Sequence, residues 1–259
     1  MKTNNSFPAR IFILIPEKDH RAIVIRRGPA EKTGIYSWNT KTDQVRVSQW
    51  LKGRVYEYFS DVSPDGDHFL YSANKKGFGY TVVSRAPWLK AITLTRNVGG
   101  LGGGIFASNN SYMLGDGNDC YNEFASPKFT SIKRDFEMHK YGVYCARLRK
   151  RGWVIKSINS TRITLLKRID QHTSLEKLIN HNSRRKGKGS WWEFHRLIYK
   201  GVVYEKPDWE WCEWLNNQLV WTEGGILYRG RITVATRSLT GKLIYNFNLD
   251  SFIEVTAPY

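Results

Sequence analysis

The chain has 259 residues, of which 41% are hydrophobic and 14% aromatic, so its composition excludes an intrinsically disordered protein and favours β structure. Its 40 lysines and arginines stand against 23 aspartates and glutamates, and the resulting net charge of +17 favours a polyanionic or acidic partner. No apolar run approaches the roughly 20 residues of a membrane span, nor the core of a signal peptide, so we expect a soluble, cytoplasmic protein.

The first hundred residues contain short runs rich in β-branched and aromatic residues, separated by Gly, Asn, Asp and Pro. Many short strands at intervals of roughly ten residues are typical of a sandwich, barrel or propeller. The runs predict strands at Arg10–Ile15, Ala22–Ile25, Gln44–Trp50, Val55–Phe59, Phe69–Tyr71, Tyr80–Val83 and Ala91–Leu94.

A module of turn, strand, loop and strand recurs along the chain, with strands opening at His20, Asp67, Ser111 and Gln218. The last gap is about twice the others, which predicts a degenerate unit around Thr161–Lys206 and five units of roughly 50 residues. Repeats of this length favour an all-β fold, a single β-propeller domain spanning residues 1–259 with about five four-stranded blades. Propellers are usually closed by both termini, so we expect the C-terminal segment Lys242–Val255 to pair with Arg10–Ile15.

Residues Asp61–Ala73 (DVSPDGDHFLYSA) resemble the repeat of TolB/WD40-like propellers, with a Ser-Pro-Asp-Gly turn followed by an apolar strand. The resemblance covers about 13 residues clearly and three other units loosely, and no unit has a Gly-His or Trp-Asp pair. It implies a propeller scaffold that binds partners through its loops and central channel, and it implies no activity.

One segment, Thr173–Asn182, predicts a helix, because Leu175, Leu178 and Ile179 are spaced three and four residues apart. It forms part of an expected helical and basic insertion at residues 172–190. The most basic run of the chain follows it directly.

Basic residues beside tryptophans predict a binding patch, because such a combination suits a phosphate backbone with stacked bases. A second basic run, expected as a tight exposed turn between two strands, extends the patch. The alternative for both is an ordinary solvated loop. The candidate binding residues are Arg184, Arg185, Lys186, Lys188, Trp191, Trp192, Arg147, Arg149, Lys150 and Arg151.

The remaining motifs predict no catalytic residue, metal site or cofactor. The glycine run 97–104 lacks the Gly-Lys-Ser/Thr of a P-loop and is expected to be a flexible turn or a tightly packed strand. The six histidines have no metal-ligand spacing. Cys120, Cys145 and Cys212 are an odd, widely spaced set, so we expect small buried hydrophobic residues and neither a disulfide framework nor a zinc ribbon.

We therefore expect a non-enzymatic binding or scaffold protein whose basic face contacts nucleic acid or an acidic protein, either alone or as a subunit of a larger complex. Two alternatives stay open. A glycoside-acting propeller would use Asp65, Asp116 and Glu223 as its acids. A lectin for an acidic glycan would stack sugars on Trp211 or Trp221, for which core packing is the competing interpretation.

Overall fold

A computed structural model describes residues 7–28, 32–75, 78–97, 102–115, 120–181, 191–233 and 238–259. The fold is mostly β, with 61% of residues in strands, and it has five sheets of three to five strands. The described residues contain one α-helix, α1 (Phe136–Lys150), and one 3₁₀ turn, Phe247–Leu249. That helix is neither long nor apolar enough to cross a membrane.

The described residues contain 21 strands, numbered here in chain order. They are β1 (Arg10–Leu14), β2 (Arg21–Arg27), β3 (Lys32–Asn39), β4 (Val45–Lys52), β5 (Val55–Val62), β6 (His68–Lys75), β7 (Phe78–Arg85), β8 (Ala91–Asn97), β9 (Gly104–Phe106), β10 (Ser111–Leu114), β11 (Cys120–Phe124), β12 (Thr130–Ile132), β13 (Val154–Ile158), β14 (Arg162–Arg168), β15 (Thr173–Asn180), β16 (Trp192–Tyr199), β17 (Val202–Lys206), β18 (Trp209–Leu215), β19 (Gln218–Glu223), β20 (Ile226–Thr233) and β21 (Ser238–Asn246).

Neighbouring strands pair in the orders β1-β2-β3-β4, β11-β8-β7-β6-β5, β12-β10-β9, β13-β14-β15-β16-β17 and β18-β19-β20-β21. The described registers are antiparallel except for β10 and β12, which are parallel. Antiparallel neighbours joined by short turns are the arrangement that the closely spaced strands of the sequence predicted.

The strands predicted in the first hundred residues are confirmed, whereas the predicted four strands per unit are found in only two of the five sheets of the described residues. The openings expected at His20, Asp67, Ser111 and Gln218 lie within one residue of the starts of β2, β6, β10 and β19. The degenerate unit expected around Thr161–Lys206 contains β14 to β17. The Ser-Pro-Asp-Gly turn also forms as expected, with Gly66 at φ 76° donating its amide to the Ser63 carbonyl at 2.9 Å.

The helix predicted at Thr173–Asn182 is wrong, because residues Thr173–Asn180 form strand β15. β15 is the central strand of a five-stranded sheet and is buried on both faces. A strand buried on both faces needs no alternation of apolar and polar residues, so the spacing of Leu175, Leu178 and Ile179 imitated a helix.

The exposed turn predicted for Arg147–Arg151 is also wrong, since most of this run forms the last residues of α1. The six residues from Val143 to Leu148 are all buried. Their sequence therefore lacks the amphipathic pattern from which a helix is predicted. Gly142, at φ 75° and ψ 172°, interrupts the helix just before them.

The strand expected at Lys242–Val255 ends at Asn246 and pairs with β20, whereas β1 belongs to the first sheet, so the predicted pairing of the two termini is wrong. The N-terminal backbone instead bonds to side chains. The amides of Ala9 and Ile11 donate to Asn248 Oδ1 at 2.8 Å and to Glu210 Oε2 at 2.9 Å.

The chain divides into two compact units, with one boundary inside β1, a second inside α1 and a third after Asp250. Unit 1 comprises Met1–Phe12 and Leu148–Asp250, and unit 2 comprises Ile13–Arg147 and Ser251–Tyr259. In unit 1 the rings of Trp209, Trp221 and Tyr228 stack in series, 5.3 and 5.4 Å apart.

The core of unit 2 includes a cluster of Leu70, Val83, Phe106, Tyr112 and Phe129. The glycine run contributes close packing there. Gly103 has φ 83°, and a Cβ atom at this position would overlap the Phe59 carbonyl, which supports the tightly packed interpretation at Gly102–Gly104. Residues 98–101 of the run lie outside the described residues.

Candidate functional site

One face of the β13–β17 sheet in unit 1 carries arginines beside aromatic rings. The register places Arg162 opposite Asn180 and Asn180 opposite Trp192, so the three side chains share a face. Phe194 and Arg196 follow Trp192 at alternate positions of β16 and therefore lie on the same face. We call Arg162, Trp192, Phe194 and Arg196 the arginine–aromatic face.

The rings and guanidinium groups of this face contact one another. The rings of Trp192 and Phe194 lie 6.0 Å apart with 27° between their planes. The guanidinium carbons of Arg162 and Arg196 lie 5.6 and 5.7 Å from the Phe194 ring centroid. These distances are typical of cation–π contacts, and all four side chains are partly exposed.

The carboxylates of this face neutralise only some of its cations. The buried Glu176 accepts from Lys156 at 2.7 Å and lies 3.5 Å from Arg196, which also donates to Glu205 at 2.8 Å.

Arg162 donates instead to the neutral amide oxygen of Asn180 at 3.0 Å. No carboxylate of the described residues lies within ion-pair distance of Arg162, nor of the exposed Arg168 at the other end of β14. Both guanidinium groups can therefore donate to an anionic ligand.

The two predicted tryptophans lie at this sheet. Trp191 is 40% exposed, immediately precedes β16, and has its ring 5.8 Å from that of His181. Trp192 is part of the arginine–aromatic face. Arg184, Arg185, Lys186 and Lys188 lie outside the described residues, so their role stays a prediction.

The residues of the second predicted basic run, Arg147–Arg151, differ in their exposure. Arg147 is buried and donates to the backbone carbonyl of Ser60, so the exposure expected for it is wrong, and its binding role stays a prediction. Arg149 and Lys150 are exposed at the end of α1. Arg151 is partly buried, with Nε 3.5 Å from Glu213 Oε2.

The opposite face of the same sheet holds a buried polar cluster that the sequence did not indicate. Lys177 Nζ lies 2.9 Å from the Cys212 carbonyl, 3.2 Å from His195 Nε2 and 3.9 Å from Glu193 Oε2. Its ammonium also lies 4.9 Å from the Trp153 ring centroid. Lys177 and His195 are fully buried, so these contacts replace water.

Glu213 anchors a second set of contacts in unit 1. Its carboxylate accepts from Lys167 Nζ at 2.6 Å and from Trp153 Nε1 at 3.1 Å. Burial raises the pKa of Glu213, but the nearby Arg151 and Lys167 outweigh it and hold the pKa below its ordinary value. Burial also raises the pKa of the neighbouring Cys212 thiol to about 12. The thiol therefore stays protonated and unreactive, as expected of a small buried residue.

Charge and tryptophan are concentrated in unit 1. It contains 21 lysines and arginines against 9 aspartates and glutamates, a net charge of +12, which leaves +5 for the longer unit 2. Seven of the ten tryptophans also belong to unit 1. Both features that the sequence associated with a nucleic-acid ligand therefore lie in the same unit as the arginine–aromatic face.

Unit 2 contains a separate groove of about 800 Å³. Its aromatic lining residues are Trp50, Tyr71, Tyr80 and Phe252. The Gln49 side-chain amide donates to the Val255 carbonyl of the C-terminal segment at 3.1 Å, and both residues also line the groove. Lysines and glutamates both line this groove, so its chemistry does not single out one class of ligand.

The structure gives little support to the residues expected for a glycoside-acting enzyme or a lectin. Trp211 and Trp221 are 4% and 5% exposed, so both belong to the core and cannot stack on a sugar in this conformation. The Asp65 carboxylate accepts from Ser63 and from the Asp67 amide within its turn. Asp116 lies outside the described residues, and Glu223 is exposed at the end of β19. Within the described residues, no group of three His, Cys, Asp or Glu side chains could hold a metal ion.

Sequence reasoning identified Trp191 and Trp192 but missed Arg162, Phe194 and Arg196. The available signal was the alternation in RITLLKR and WEFHRLIY, which places these residues on one face once both segments are read as paired strands. Comparison of the chain with protein-family models, with curated proteins and with solved structures found no match.

Proposed function

We propose that this chain is a non-enzymatic nucleic-acid-binding protein whose five sheets are the blades of one β-propeller scaffold. Five sheets at the predicted spacing support the propeller, and the TolB/WD40-like turn at Ser63–Gly66 is consistent with it. The ligand is contacted through unit 1. The observation that carries this assignment is the net charge of +12 in a unit that also presents arginines beside exposed aromatic rings.

Nucleic acid is favoured over an acidic protein by the type of side chain on the sheet. Guanidinium groups and aromatic rings together match a ligand that has both phosphates and flat bases. An acidic protein does not carry a flat base beside each of its charges. Arg162 and Arg168 would contact phosphates, while the exposed Arg149 and Lys150 add to the attractive field.

The test is the salt dependence of binding to a fluorescently labelled oligonucleotide, followed by anisotropy. Each phosphate contact releases counterions, so affinity should fall steeply between about 50 and 200 mM salt. Arg168→Gln should make the slope of log K against log salt shallower by about 0.7 to 0.9. Arg46→Gln, at an exposed arginine of unit 2, is the matched control and should leave the slope unchanged.

Absence of oligonucleotide binding at low salt would overturn the proposal. Tighter binding to polyglutamate than to an oligonucleotide of equal charge would favour the acidic-protein alternative. Equal effects of Arg168→Gln and Arg46→Gln would remove unit 1 as the binding unit.

A further inference from the structure

We infer that the arginine–aromatic face binds unpaired bases, so that the ligand of this protein is single-stranded rather than duplex nucleic acid. The inference rests on the proposed nucleic-acid function and specifies its ligand. It depends on the geometry of Trp192 and Phe194, on the charge left uncompensated around them, and on their position in the sheet.

The two rings provide stacking surface on a partly exposed sheet face, near the start of β16. Trp192 and Phe194 are each partly exposed, 6.0 Å apart and 27° from parallel. Every base has a flat π-face, so stacking on such rings tolerates any sequence. In a duplex the faces of the bases are already stacked on one another, and only an unpaired base can lie on a protein ring.

The two arginines beside the rings differ in whether a carboxylate pairs with them. Arg196 is held by Glu176 and Glu205, and its main contribution is to position the Phe194 ring. Arg162 also lies over Phe194 but bonds only to the Asn180 amide oxygen among the described side chains. A phosphate that joins two stacked nucleotides would find the Arg162 guanidinium next to the ring on which a base lies.

The Trp192 ring and Arg162 lie at the same end of the sheet. Asn180 ends β15 and Trp192 begins β16, directly opposite each other and beside Arg162. A base on the Trp192 ring would therefore lie close to a guanidinium group that could contact its phosphate.

The test compares one oligonucleotide as a single strand and annealed to its complement, in DNA and RNA forms, with heparin as a ligand that has charge but no bases. The wild-type protein should bind the single strand more tightly than the duplex. Phe194→Leu keeps the apolar volume but removes the ring. It should weaken single-strand binding about five- to a hundredfold while leaving heparin binding unchanged.

Phe78→Leu is the matched control, because Phe78 is 47% exposed in unit 2 and has the Arg96 guanidinium carbon 3.7 Å from its ring centroid. It should leave every affinity unchanged. Trp192→Phe keeps a ring and should retain single-strand binding, whereas Trp192→Leu should reduce it. The Trp192 pair provides the same comparison if thermal melting shows that Phe194→Leu does not fold.

Equal binding of duplex and single strand by the wild-type protein would overturn the inference while leaving the proposed function in place. Equal affinities of Phe194→Leu and Phe78→Leu for the single strand, with both variants folded, would do the same. Failure of every nucleic acid to bind at low salt would instead refute the proposed function itself.

Discussion

Lys177 Nζ lies 3.2 Å from His195 Nε2, and both side chains are fully buried in unit 1. The two residues are directly opposite each other on β15 and β16. Glu193 precedes His195 by two positions and is buried on the same face, so the sheet holds a polar group of three side chains with no access to water. Such a group stabilises the fold only while its members keep one another as partners.

We expect Lys177→Met to destabilise the protein by about 3 kcal/mol or more, because it leaves the buried Glu193 without its nearby ammonium group. Urea unfolding measures the change. Lys156→Met is the control, since the exposed Lys156 is one of two cations on Glu176, and it should cost less than about 1 kcal/mol. The double variant Lys177→Met/Glu193→Gln should be more stable than Lys177→Met alone. Similar costs for the two single variants would contradict this interpretation.

Glu213 should make the stability sensitive to acid. Its pKa in the folded protein is lowered from the ordinary 4.5, so at low pH the unfolded chain takes up a proton that the folded protein does not. The stabilisation is therefore complete above the ordinary pKa and is lost as the pH falls through the folded pKa. The difference in unfolding free energy between wild type and Glu213→Gln should shrink as the pH is lowered from neutral to about 3.

Glu223→Gln is the control for this titration, because Glu223 is exposed on the neighbouring strand β19. Its stability difference from wild type should stay small throughout. A Glu213→Gln difference that stays constant with pH would show that the carboxylate acts by packing and hydrogen bonding and not by its charge.

Gly103→Ala should destabilise unit 2 by several kcal/mol, because the new Cβ would overlap the Phe59 carbonyl at a left-handed backbone position. Gly28→Ala separates the two causes. Gly28 has φ 84° but nothing within 4 Å of an added Cβ, so its substitution should cost only about 1–2 kcal/mol of backbone strain. Thermal melting of both variants measures the difference, and equal shifts would mean that the close approach at Gly103 is relieved without cost.

The basic run at residues 184–188 provides a test of the sequence-based hypothesis. Replacing Arg184, Arg185, Lys186 and Lys188 together with glutamine should reduce the salt dependence of oligonucleotide binding by up to about three in slope. The melting temperature should change little. A slope equal to that of the wild type would show that the run makes no phosphate contacts and would leave binding to the strands of the described residues.

Local patterns were sufficient to predict the strands of the first hundred residues. Segments such as Arg10–Ile15 and Tyr80–Val83 are short, β-branched or aromatic, and bounded by turn residues, and these preferences act over a few neighbours. The Ser63–Gly66 turn formed for the same reason. The described residues form five sheets, the number that the spacing of such segments predicted, but with three to five strands each.

The sequence by itself therefore determined the mostly β class and the excess of positive charge, both of which depend on composition or on adjacent residues. Only the tertiary structure decided that Thr173–Asn180 is a strand, because burial on both faces removed its alternation. It also decided that Arg147 is buried while Arg149 is exposed. The arginine–aromatic face depends on register, which brings Arg162 of β14 to Phe194 of β16 across the intervening β15, and register is a relation between distant segments that neither one encodes alone.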